Sequence, residues 1–139
     1  MGSSSSRSVL SIDTNILLRI ILRDDARMFE QARARLAQLE RVHVADQAVV
    51  EIVFALGGHY KYSRTDICAV IYGLMANQHI NLNRRLFEAV LPLYEKHPAV
   101  SFTDICLAVY AKLNDTTPLL TFDRKLARQI PHVDLVTGK

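Results

Sequence analysis

Apolar residues along this chain fall into short runs, separated by longer stretches in which they recur every three or four positions. The runs SVLSI (8–12), VHVA (42–45), HINL (79–82), PLLTF (118–122) and VDLV (133–136) have the length and character of strands. Between the first two, DARMFEQARARLAQLE (25–40) sets Met28, Ala32, Leu36 and Leu39 on one face with Arg and Gln opposite, which predicts an amphipathic surface helix. Glu51 is the only charged residue between Gln47 and Gly57, so this segment predicts a buried helix. Asp46 is expected to cap it, and Gly57-Gly58 to end it, because glycine accepts the left-handed conformation found at helix ends. Ser63 with Asp66 forms a variant capping box for a helix through Ala76. Asn83 starts a helix towards Glu95, and Pro98 lies in the break before another that begins near Ser101 or Phe102. The predicted order is β, two helices, β, two helices, β, two helices, β, α, β. Such alternation belongs to an α/β domain around a parallel sheet, here of five strands.

With 139 residues, half of them hydrophobic, the expected organisation is one domain over residues 9–139. The opening MGSSSSRS (1–8) is expected to be a disordered Ser-rich tail, of native or appended origin, and is left out of the fold. The longest apolar stretches, VVEIVFAL (49–56) and ICLAVYA (105–111), are far shorter than the roughly 20 residues that cross a bilayer. No membrane partner is expected. Cys68 and Cys106 lie in apolar contexts without the paired spacing of a zinc ribbon or redox motif, which suits buried, reduced thiols in the cytoplasm. A net charge of +3 and a pI near 9.0 permit an anionic partner without selecting one.

Four acids stand where an ordinary core would place something apolar. Asp13 follows the first strand, at the carboxyl end where open parallel sheets keep their ligand sites. Glu51 interrupts the apolar helix, Asp104 opens the apolar segment SFTDICLAVYA, and Asp123 directly follows PLLTF. If the strands are parallel, all four converge on one edge. Crowded carboxylates repel one another, and a shared cation removes that cost. Oxygen ligands without His or Cys favour Mg²⁺ or Mn²⁺, ions that activate water and stabilise charge on a phosphate, so the implied chemistry is phosphodiester hydrolysis. Each acid also has a structural reading: Asp13 and Asp123 as helix N-caps, Asp104 as part of a capping box with Ser101, and Glu51 turned outward or paired with an arginine. The five histidines show no ligand-like pairing. Asn15, Arg19 and Arg23 recur every four residues beside Asp13, and Arg124, Lys125 and Arg128 follow Asp123. These cations are candidate RNA-phosphate contacts.

These segments together resemble the PIN-domain family, and within it the bacterial VapC-like toxin branch. The resemblance covers nearly everything from Val9 to Val136 and is carried by SIDTNILLR (11–19), VADQAVVEIVFAL (44–56), SFTDICLAVYA (101–111) and LLTFDRKLAR (119–128), in that order. It implies a three-layer α/β/α sandwich and an endoribonuclease. It further implies that Asp13, Glu51, Asp104 and Asp123 bind Mg²⁺ or Mn²⁺ and serve catalysis, with Asn15 and Thr121 supporting the metal site. A homodimer and a cognate antitoxin, one segment of which covers the active-site cleft, are the partners implied beside RNA.

Other strand-end aspartates fit less well. A haloacid-dehalogenase-like phosphatase needs a second Asp two positions after the first, where this chain has Asn15, and a receiver domain needs an adjacent acidic pair where Thr14 stands. The non-enzymatic alternative is a PIN-like scaffold that binds RNA or protein. The complete acidic set argues against it, since crowded acids cost a pure binder stability.

Overall fold

The computed structural model describes residues 8–138; apart from Ser8, the Ser-rich start lies outside the described residues. The chain forms two compact units that divide between Asn83 and Arg84.

The first unit runs β1 (Val9–Ser11), α1 (Thr14–Leu22), α2 (Ala26–Leu36), β2 (Arg41–His43), α3 (Asp46–Gly58), α4 (Arg64–Ala76) and β3 (Ile80–Asn81). Its sheet has the order β1-β2-β3 and is parallel throughout, with Leu10 opposite Val42 and Val42 opposite Ile80. Parallel neighbours require a crossover connection, and a helix pair makes each one. Leu17 of α1, Val49, Ile52 and Leu56 of α3, and Ile67 and Ile71 of α4 form a closed apolar core. The α1 and α3 helices pack directly together, which fixes the position of the turn after β1 relative to the side chains of α3.

The second unit runs α5 (Arg84–Lys96), α6 (Phe102–Leu113), β4 (Leu119–Thr121), α7 (Arg124–Gln129) and β5 (Val133–Leu135). Strands β4 and β5 pair in parallel, Leu119 opposite Val133 and Thr121 opposite Leu135. The core lies chiefly between α5 and α6. Phe87 stacks against Phe102 at 6.1 Å, and Tyr94 meets the same ring edge-on at 5.2 Å. Burial of rings this size, with Leu86, Leu91 and Ile105 around them, supplies most of what holds the unit together.

All five strands occur where the apolar runs predict them, every ladder is parallel, and the fold is α/β. The ladders are divided, however, between a three-stranded and a two-stranded sheet instead of one sheet of five. Each strand is only two or three residues long, and each ladder stays within its own unit. Helix ends also differ from expectation. Gly57 and Gly58 continue α3, and the left-handed residue is Lys61 (φ 61°), beyond a turn in which the Tyr62 amide bonds the Leu56 carbonyl at 2.8 Å. Ala45, without a side-chain cap, precedes α3; the Asp46 carboxylate instead accepts from Asn83 Nδ2 at 3.1 Å. Helix α2 stops at Leu36, and Leu39 is buried from the turn that follows.

Candidate functional site

In the first unit the chain leaves β1 through Ile12, whose amide bonds the His43 carbonyl at 3.1 Å, and turns at once into α1. Asp13 is the N-cap: its Oδ1 accepts from the Ile16 amide at 2.9 Å, satisfying one of the free donors at the helix start. The structural reading of Asp13 is therefore correct, yet it occupies a single oxygen. Oδ2 has no partner among the described residues, and the residue is exposed.

Glu51 is not buried. Helix α3 presents Ala48, Val49, Ile52, Val53 and Leu56 to the core and Gln47, Glu51, Phe54 and Gly58 to solvent, at the spacing of one helical face. The expectation of a buried helix fails because this face is exposed although two of its residues, Phe54 and Gly58, are not polar. Glu51 is held at both oxygens: Thr14 Oγ1 donates to Oε1, and Gln47 Nε2 approaches Oε2 at 3.4 Å. Thr14 directly follows Asp13, so one hydroxyl ties the carboxylate of α3 to the turn that carries the carboxylate of β1. The role of Thr14 was missed in the sequence, where it lies 37 positions from its partner.

In the second unit Asp123 repeats the arrangement of Asp13. It follows β4, caps α7 with Oδ1 accepting from the Leu126 amide at 3.1 Å, and leaves Oδ2 without a partner among the described residues. Thr121 Oγ1 accepts from the Asp123 amide at 3.0 Å and so fixes the turn. Asp104 sits in the first turn of α6, where its amide donates to Ser101 Oγ at 3.1 Å. The cap uses the Asp104 backbone only; its carboxylate is half-exposed and unpartnered among the described residues.

The cations divide into engaged and free. Arg19 forks onto Asp24 at 2.8 and 3.0 Å and reaches the Tyr60 hydroxyl at 3.4 Å, while its buried Nε has no partner among the described residues. The Tyr60 hydrogen bond and the Asp24 charge push its pKa above the usual guanidinium value. Asp24 thus closes back onto α1, and Asp25 alone caps α2, accepting from the Met28 amide at 3.0 Å. Arg23 does not continue the face of Asn15 and Arg19: it leaves the helix with φ 51° and lies over the Phe29 ring at 4.8 Å. Asn15 is exposed beside Ile16 and lines, with Arg19, a 290 Å³ groove against α2. Arg124, Lys125 and Arg128 are exposed and have no ion-pair partner among the described residues.

Among the described residues no group of three or more His, Cys, Asp or Glu side chains could hold a metal ion. Carboxylate oxygens are the donors that hard cations prefer, and Asp13 in the first unit and Asp104 and Asp123 in the second each keep at least one oxygen without a partner among the described residues. No described helix is long and apolar enough to cross a membrane.

In open α/β sheets ligands bind outside the carboxyl ends of the strands, where Asp13 and Asp123 stand after β1 and β4. The chain belongs to the PIN domain family, whose pattern it matches over residues 10–130, through both units. It is similar to a protein named VapC ribonuclease from Aquifex aeolicus (strain VF5), with 26% identity over 121 residues, 84% of this chain and 89% of that protein.

Proposed function

We propose that this protein is a metal-dependent endoribonuclease acting as the toxin of a toxin–antitoxin pair. One observation carries the reading: the Thr14 hydroxyl holds the Glu51 carboxylate to the strand-end turn that bears Asp13. A solvent-facing glutamate with no basic partner among the described residues has no structural need of such a tether, whereas a ligand that must be held in place does.

In this reading Asp13, Glu51, Asp104 and Asp123 supply carboxylate oxygens to Mg²⁺ or Mn²⁺, and Asn15 and Thr121 support them. When bound, such a cation polarises the phosphate and generates the nucleophile from water at neutral pH. The chain's own residues do the rest. Asp13 and Asp123 are locked in one rotamer by their capping bonds, so each offers its second oxygen in a fixed direction. Thr121 holds the turn of Asp123, and Thr14 and Gln47 orient Glu51. Arg124 and Lys125 draw in the RNA backbone by charge. Arg19 and Arg23, engaged with Asp24, Tyr60 and Phe29, act on RNA less directly, by stiffening α1. The likeness to a VapC ribonuclease supports the RNA substrate. A cognate antitoxin that covers the cleft, a homodimer, a single domain over residues 9–139 and a cytoplasmic location complete the proposal.

The test incubates the protein with structured and single-stranded RNAs in Mn²⁺, Mg²⁺ or EDTA, beside Asp13→Asn. Metal-dependent cleavage absent from the variant is expected. Cleavage that persists equally in EDTA or in Asp13→Asn refutes the assignment.

A further inference from the structure

The five phenylalanines do not share one fate: Phe87 and Phe102 are buried and Phe29 half-buried, but Phe54 and Phe122 are 73% and 83% exposed. A ring that stands in water gives up the burial for which phenylalanine is ordinarily used, so its surroundings indicate what it is for. Phe122 occupies the one position between Thr121 and Asp123, the turn that carries a proposed site carboxylate. Three exposed cations without ion-pair partners among the described residues, Arg124, Lys125 and Arg128, follow within six residues. Arg124 and Arg128 also line an open cavity of 410 Å³ against Val133 and Leu135, a size within the roughly 300–1,000 Å³ of ordinary ligand sites. Phe54 has no such company. Its helix contains no Lys or Arg, and the other exposed residues on its face are Gln47, Glu51 and Gly58.

An accessible ring flanked by uncommitted cations is the combination by which proteins hold single-stranded nucleic acid: the base stacks on the ring while the cations neutralise the backbone. We infer that Phe122 stacks on an unpaired base of the RNA, next to the phosphodiester that Asp123 serves. The inference rests on the ribonuclease reading and narrows it. A base within a duplex is already stacked on both faces, so the contact at Phe122 requires an unpaired nucleotide at that position.

The chain has no tryptophan, so Phe122→Trp installs a single fluorescent reporter at the stacking position. The experiment combines it with Asp13→Asn to prevent cleavage and titrates in fluorescein-labelled oligouridine, alone or annealed to oligoadenosine, following tryptophan emission and RNA anisotropy together. Saturable quenching by the single strand but not by the duplex is expected. Phe122→Ala, in the same Asp13→Asn background, is expected to weaken single-strand binding by about 5- to 100-fold. RNA that binds by anisotropy with tryptophan emission unchanged overturns the stacking role and leaves the ribonuclease reading standing. Equal quenching by the duplex overturns the restriction to unpaired bases. Absence of any RNA binding overturns both the inference and the reading beneath it.

Discussion

Replacing Thr14 with valine removes one hydroxyl and little else. Valine keeps the branched shape at the start of α1, and the capping bond from the Ile16 amide to Asp13 does not involve residue 14. What is lost is the only donor to Glu51 Oε1 among the described residues; the remaining contact, from Gln47 Nε2 to Oε2, is long at 3.4 Å. A hydrogen bond to a charged group is worth about 1.5–3 kcal/mol, and Glu51 is exposed, so water replaces part of it. Taking about 1–1.5 kcal/mol, the orientation of Glu51 should weaken apparent Mn²⁺ affinity by roughly 5- to 10-fold. Isothermal titration calorimetry measures that affinity, and kcat/KM at limiting Mn²⁺ should fall in parallel. Thermal denaturation should change little, because the lost bond is at the surface. Thr14→Ser keeps the donor and should restore both quantities, and in a Glu51→Ala background, which removes the acceptor, Thr14→Val should add almost nothing. A valine variant that binds Mn²⁺ and cleaves RNA like the parent chain would show that the tether has no part in the site.

Asp104→Asn should abolish cleavage and leave the melting temperature essentially unchanged, since the cap at Ser101 uses the Asp104 amide and not its carboxylate. Asp123→Asn should likewise fold normally while losing activity, because asparagine caps a helix about as well as aspartate; Asp123→Ala should cost roughly 0.5–2 kcal/mol as well, seen as a lower denaturation midpoint. Phe87→Ala, at a fully buried ring stacked on Phe102, should cost about 3–5 kcal/mol in urea denaturation; a loss below 1 kcal/mol would contradict the assigned packing. Arg19→Met should destabilise the first unit through loss of the Asp24 fork and the Tyr60 contact, and Tyr60→Phe should reproduce only the smaller, Tyr60 share in a double-mutant cycle.

The succession of strands and helices was legible because the pattern that reports it is local. Ser63 and Ser101 cap α4 and α6 as their spacing to Asp66 and Asp104 foretells, and Asp25 caps α2. What the sequence misjudged depends on partners far along the chain. Glu51 interrupts an apolar run, but whether it faces the core depends on which side of α3 meets α1, and the run does not contain that information. Asp24 stands next to the capping Asp25, but its own carboxylate pairs with Arg19. Gly57 and Gly58 suggest a stop, yet glycine permits a left-handed residue without requiring one, and Lys61 takes that conformation instead. The division of the strands into two sheets is equally invisible, since strand pairing is decided by ladders two or three residues long. The functional and structural readings of Asp13 and Asp123 proved compatible, because a carboxylate has two oxygens and a cap needs one.

That economy has a genetic side. Aspartate and asparagine codons differ by a single G-to-A transition, and at positions 13 and 123 either residue starts the following helix. One nucleotide change can therefore silence the proposed activity while the chain still folds, so a lineage burdened by a harmful enzyme need not lose the gene to escape it. Under the proposed toxin reading, disarmed but intact copies, still able to occupy an antitoxin, are what such a pair of capping aspartates leads one to look for among natural variants.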